Sequence, residues 1–106
     1  MERWTPPVEP TRRETLILGR LQRTRKLFAF LRLHRHELFD EAFQIELEQM
    51  YRQTGQGTTP IPPAKLCMAL LLQGYLRISD AEAVEMTVLD LRWQMVLDCL
   101  GEEEPA

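Results

Sequence analysis

The sequence predicts an all-α domain, a compact bundle of about five short helices whose last three stand in a helix-turn-helix-like arrangement. Three observations carry that expectation. Apolar residues recur at spacings of three and four along successive segments of the 106-residue chain, the period of a helix with one buried face. The joins between these segments hold helix-start chemistry: Asp40, Pro62-Pro63, Ser79 with Glu82 three residues on, and Asp90. No run combines strand alternation with hairpin turn residues, and no internal repeat is visible.

Residues 1–14 hold Pro6, Pro7 and Pro10 among charges without a sustained period, so residues 1–22 are expected to form an irregular, mobile basic arm in which Trp4 makes only local contacts. Leu16, Ile17, Leu18 and Leu21, interrupted by Gly19, suit either a short extended piece or a frayed helical turn, and the pattern does not choose. From about Arg23 to His36, Leu27, Phe30, Leu31 and His34 fall at i, i+3, i+4 and i+7, which leaves Arg25, Lys26, Arg32 and Arg35 largely off the apolar face. Asp40 is placed to cap a second helix that runs to about Gln53, with Phe43, Leu47 and Met50 or Tyr51 at helical spacing.

Thr54 to Pro60, with two glycines, three threonines and a proline, reads as a loop. Pro63 then opens the central helix, because its fixed φ suits a first turn and its missing N–H costs nothing there. From Leu66 to Leu72 this helix is apolar on every face, the mark of a helix with partners all round, so Leu70, Leu72, Trp93 and Leu97 are expected in one core. Ser79 and Glu82 form the signature of a capping box for a helix from Asp80 to about Thr87. A last helix is expected from about Asp90 to Leu100, with Leu89, Trp93, Val96 or Leu97, and Leu100 at helical spacing and Gly101 in the left-handed position at its end. The helical domain thus covers 23–101, and 102–106 is an acidic tail.

Apolar residues make up 44% and charged residues 27%, the balance of an ordinary globular chain rather than a disordered one. The longest apolar run falls far short of the roughly 20 residues that a membrane-spanning helix needs, and the N-terminus lacks the apolar core of a signal peptide. A cytoplasmic protein with no membrane contact is expected. Cys67 and Cys99, each among apolar neighbours and in no CxxC pair, read as small buried hydrophobes in a reducing compartment. The net charge of -3 conceals a division. Nine basic against three acidic residues give Met1 to His36 a charge of +6, and four against thirteen give the remainder -9. A basic arm on an acidic body follows.

His34 and His36 lie two apart, a spacing that sends helical side chains to different faces, whereas a shared metal wants three or four. Glu46 and Glu48 fail the same test, and Asp40-Glu41 suits the positive end of a helix dipole. Gly55 and Gly57 lack the following Lys-Ser/Thr of a phosphate loop. No catalytic residue, metal or cofactor is therefore expected. In the helix-turn-helix-like reading, Arg92 and Gln94 of the last helix could reach base edges, but Asp80, Glu82, Glu85, Asp90 and Asp98 would repel phosphate, and packing is the preferred role. The better electrostatic footprint is the basic segment, whose alternative is a solvated face paired with the acidic body.

FAFLRLHRHELFD at Phe28 to Asp40, the PIPP start of an LLLQGY helix, ISDAEAVE at Ile78 to Glu85 and LDLRWQ at Leu89 to Gln94 follow one another in order. Together they resemble the InsH-like N-terminal domain of DDE-type insertion-sequence transposases, over about Leu27 to Leu100. The matching signature positions are Ser79, Asp80, Glu82, Asp90, Arg92 and Trp93. The resemblance implies a non-catalytic helical module that binds transposon-end DNA or assembles the transposase. It also implies that the acidic catalytic triad belongs to a later nuclease domain, so none of it is assigned here. With the charge pattern, it makes Arg12, Arg13, Arg20, Arg23, Arg25, Lys26, Arg32, Arg35 and Arg92 the candidate DNA contacts. The alternative is a protein-interaction module that dimerises or docks on a full-length transposase.

Overall fold

In a computed structural model, which describes residues 3–53 and 61–101, the chain forms six helices and, among the described residues, no strand. They are α1 (Arg12–Arg20), α2 (Arg25–Leu38), α3 (Glu41–Gln53), α4 (Pro63–Leu76), α5 (Asp80–Leu89) and α6 (Leu91–Val96). The expected loop from Thr54 to Pro60 and the acidic tail at 102–106 lie outside the described residues.

The helix starts are local and mostly where the sequence puts them. Asp40 Oδ1 accepts the Phe43 N–H at 2.9 Å, Pro63 occupies the first turn of α4, and Ser79 Oγ accepts the Glu82 N–H at 3.1 Å. The Glu82 carboxylate accepts the Ser79 hydroxyl at 3.2 Å, so only half of the expected capping box forms at this end. The complete box is at Thr11 and Glu14, where the Thr11 hydroxyl accepts the Glu14 N–H at 3.2 Å and the Glu14 carboxylate accepts the Thr11 N–H at 2.9 Å. That box starts α1 inside the segment expected to be irregular. Ahead of α1 the chain lies on the body. Trp4 is buried, its N–H and C=O bond the Gln44 side-chain amide at 2.8 Å each, and Arg3 pairs with Glu41 and Glu48 at 3.2 Å.

The centre of the molecule is α6, not α4. This short helix packs against α1, α2, α4 and α5, and Trp93, Met95, Val96 and Leu97 are fully buried. It ends at Val96 rather than Leu100, because Asp98 turns the backbone into the left-handed region (φ 58°) and the Cys99 N–H closes back on the Gln94 carbonyl at 2.9 Å. That reversal carries Cys99 into the core, while Gly101 takes its own left-handed φ of 87° further on.

Helix α4 buries one stripe, Ala64, Met68 and Leu72, at i, i+4 and i+8. Much of the rest is open: Leu70 is 54% exposed, Leu71 49% and Tyr75 70%. Leu72, Trp93 and Leu97 share the core as expected; Leu70 does not. Helix α2 also faces a different way. Its buried set is Phe28, Leu31, Arg32 and Arg35, whereas Phe30 is half exposed. Both sets obey the helical period, and the true one includes two arginines, which a hydropathy pattern assigns to solvent. Among the described side chains of α3, Gln44 and Leu47 are buried, with Phe43 and Met50 facing outward.

Candidate nucleic-acid interface

The nine candidate cations separate into two groups. Arg32 is fully buried, and its guanidinium forms a fork on Glu14, with Nε to Oε2 at 2.7 Å and Nη2 to Oε1 at 2.9 Å. It also donates to the Val8 carbonyl at 3.1 Å and the Glu9 carbonyl at 3.0 Å, fastening the N-terminal segment to α2. Burial works to raise the Glu14 carboxyl. The Arg32 pair, the Thr11 N–H and the field of Arg35 outweigh it and hold Glu14 below its ordinary value.

Arg35, also buried, donates to the Met95 carbonyl at 2.9 Å, the Val96 carbonyl at 3.1 Å and the Pro7 carbonyl at 3.0 Å. It thereby satisfies carbonyls at the C-terminal end of α6 that the helix itself leaves open. Burial, then the neighbouring Arg32, push it down to about 10, against the opposing pull of Asp98 and Glu14. Arg92 is half-buried. It pairs with Asp90 at 2.6 Å, donates to the Thr24 hydroxyl at 2.9 Å and lies 4.8 Å from the centre of the Phe28 ring. Arg32 and Arg35 thus leave the list of phosphate contacts: both are enclosed and bonded inside the fold, and Arg92 is engaged as a pin between α6 and the start of α2.

Arg12, Arg13, Arg20, Arg23, Arg25 and Lys26 are all exposed, and among the described residues none forms an ion pair. They lie on α1, in the short connection after it and in the first turn of α2, and so form one continuous stretch of chain. Arg12, Arg13, Arg25 and Lys26 stand in the first turns of their helices, where the macrodipole already favours negative charge. Placing cations there costs local stability, and it concentrates positive potential at two helix starts.

In the last helix the residue named for base edges beside Arg92 is engaged within the fold. Gln94 is buried, and its amide donates to the Thr87 carbonyl at 3.1 Å and the Val88 carbonyl at 2.7 Å, closing the C-terminal end of α5. His34 and His36, expected on different faces, both lean on Glu37 Oε1, at 3.3 and 3.5 Å. Among the described residues no three His, Cys, Asp or Glu side chains stand close enough to hold a metal ion, and no helix is long and apolar enough to cross a membrane. No disulfide joins Cys67 and Cys99. Cys99 is buried, and Cys67 is half-buried with its thiol pushed up by that burial.

A second surface stands apart from the cations. Between α4 and α5 runs a groove of about 330 Å3 lined by Leu66, Leu70, Ala83, Val84 and the buried Trp93, with Asp80 at one end. Leu71 and Tyr75 are also exposed on α4 but do not line this groove.

Comparison with known proteins adds one match: residues 19–106 fit the family described as Transposase domain (DUF772). Neither the curated proteins nor the solved structures contain a match. The matched span holds α2–α6 and only the last two residues of α1, includes the ISDAEAVE and LDLRWQ segments, and agrees with the resemblance to the N-terminal region of insertion-sequence transposases. The chain belongs to the transposase domain family DUF772.

Proposed function

We propose that this domain is a non-catalytic module of an insertion-sequence transposase that holds transposon-end DNA through phosphate contacts from Arg12, Arg13, Arg20, Arg23, Arg25 and Lys26. The observation that carries the reading is the division among the cations: three are used inside the fold, and six stand exposed along one stretch of chain, with no ion pair among the described residues. Cations without internal partners displace condensed counterions from DNA whatever its sequence, so the contacts position the duplex more than they read it. In this reading the domain needs no cofactor and performs no strand chemistry. Incubated with transposon-end DNA and magnesium or manganese, the pure chain leaves the strands intact.

The test is a titration of labelled duplex with wild type and with the triple variant Arg23→Glu, Arg25→Glu, Lys26→Glu. If about four phosphates are neutralised, wild-type affinity falls roughly a hundredfold between about 50 and 200 mM salt. The variant loses binding but keeps its helical content, because all three side chains are exposed. Equal binding by the two proteins would remove the DNA reading. A second reading, assembly of the transposase through protein contacts, is favoured by a separate observation: the exposed apolar side of α4 and its groove with α5.

A further inference from the structure

A second groove, of about 310 Å3, lies between α1 and the start of α6, and its lining includes charge. Leu16, Ile17, Leu21 and Leu91 line it together with Arg13 and Arg20. Arg13, Leu16 and Arg20 fall at i, i+3 and i+7, one face of α1, and all three are exposed. Arg92, which also lines the groove, is engaged by Asp90, but Arg13 and Arg20 form no ion pair among the described residues. Asp98, which shares a neighbouring cleft with Arg13, does not pair with it either. On α5 the side turned away from the α4–α5 groove carries Glu82, Glu85 and Leu89 at i, i+3 and i+7. All three are exposed, Leu89 to 76%; the Glu82 carboxylate accepts the Ser79 hydroxyl, and neither acid is in an ion pair among the described residues. Asp90, between the two helices, is extended and turns its carboxylate back to the Arg92 N–H, so its exposed neighbours Leu89 and Leu91 point the other way. Helix α6 packs on both α1 and α5, which do not touch each other. The start of α6 thus has a basic helix face on one side and an acidic one on the other.

We propose that this surface is the two-fold interface of a homodimer, in which Leu16, Leu89 and Leu91 of the two copies meet at the centre and Arg13 and Arg20 of each copy face Glu82 and Glu85 of the other. A two-fold contact needs a surface complementary to itself, and an apolar centre flanked by cations on one side and carboxylates on the other is such a surface. The α4–α5 groove lacks that property: its lining holds one acid, Asp80, already bonded by the Gln73 amide at 2.6 Å, and no base. The inference rests on the assembly reading and puts the contact on a different surface. It engages Arg13 and Arg20 and leaves Arg12, Arg23, Arg25 and Lys26 to the DNA reading. Every contact occurs twice, but α1 and α5 have only nine and ten residues, so the dimer belongs on the weak side of interfaces that bury about 800 Å2 per partner. It is salt-sensitive and forms at high protein concentration.

Sedimentation equilibrium of the full chain tests the proposal at about 50 and 500 mM salt, since exposed charges are strongly screened at the higher value. Wild type is compared with the variant Arg13→Glu, Arg20→Glu and the variant Glu82→Lys, Glu85→Lys. The expected result is a wild type that stops at the dimer, weakened about tenfold or more at high salt, with each variant monomeric alone because like charges then meet twice. An equimolar mixture of the two variants recovers a one-to-one dimer, since across a two-fold both of its charge contacts are again opposite in sign. Recovery also shows that both variants are folded. Two changes at exposed positions leave net charge alone: Leu89→Ser weakens the dimer, and Leu70→Ser, in the α4–α5 groove, does not. A wild type that grows beyond the dimer overturns the two-fold arrangement. Dimerisation lost with Leu70→Ser and kept with Leu89→Ser leaves assembly standing and overturns this interface. A wild type that stays monomeric at its highest soluble concentration overturns both this proposal and self-assembly.

Discussion

Helices α6 and α4 reverse the usual relation between size and importance. Helix α6 has six residues, including an arginine and a glutamine, yet it touches four of the other five helices and its residues from Trp93 to Val96 are all buried. Helix α4 has fourteen residues and nearly unbroken hydrophobicity, yet it leaves Leu70, Leu71 and Tyr75 open. The difference teaches that hydrophobicity determines what a helix could bury, whereas position in the packing determines what it does bury. Helix α6 reaches the centre because its polar groups are satisfied there. Arg35 closes its last carbonyls, Asp90 receives its first N–H, and Gln94 spends its amide on the end of α5. Buried polar groups with partners are tolerated, and exposed apolar ones cost little.

The largest expected effect is at the hub. Trp93→Ala should destabilise the domain by about 3 to 5 kcal/mol, a large share of a small domain's stability. Chemical denaturation that shows a loss below about 1 kcal/mol, the usual scale of a surface change, would break the claim that α6 is the centre. On α4 the cost should depend on the face. Leu72→Ala, fully buried, should lose about 2 to 5 kcal/mol. Leu70→Ala, two residues away and half exposed, should stay within about 0.5 kcal/mol. Measuring the two together sharpens the comparison, because similar values would mean that α4 has no open side.

Arg35→Met keeps most of the stem but leaves the Met95, Val96 and Pro7 carbonyls without their donor, and should cost about 1 to 3 kcal/mol. Amide exchange in α6 and α2 would rise together if Arg35 couples them; exchange confined to residues near Pro7 would show that the contact to α6 matters little. The Glu14 carboxyl supplies a pH test of the same inner shell. Its folded value is depressed below the ordinary 4.5, so its contribution is fully present above that value and lost as pH falls through the folded one. The stability gap between wild type and Glu14→Gln should narrow in acid, and a gap independent of pH below about 5 would separate Glu14 from the stability of the domain. Ser79→Ala should cost about 1 kcal/mol through the lost cap of α5, which a melting curve beside wild type would show.

The candidate interface was partly legible. The charge pattern named nine cations together; the fold leaves six of them exposed, whereas Arg32 and Arg35, placed among them by charge alone, are buried. A nearby signal existed: Thr11-x-x-Glu14 is a capping-box pattern, and it would have marked α1 and an acid fixed beside the arginines of α2. Nothing in the sequence, however, pointed Arg35 at carbonyls sixty and sixty-one residues away.

By itself the sequence determined the all-α class and the starts of α3, α4, α5 and α6, together with the family that the ISDAEAVE and LDLRWQ segments signal. A cap is a bond between residues two or three apart, so it depends far less on the rest of the chain than a long-range contact does. Which face of each helix is buried was decided only in the tertiary structure. Two overlapping helical patterns on α2, and an apolar surface on every side of α4, leave that choice open locally. It is settled by which side chains, polar ones included, find long-range partners: Arg32 finds Glu14, Arg35 finds the end of α6, and Leu70 finds none within the described fold.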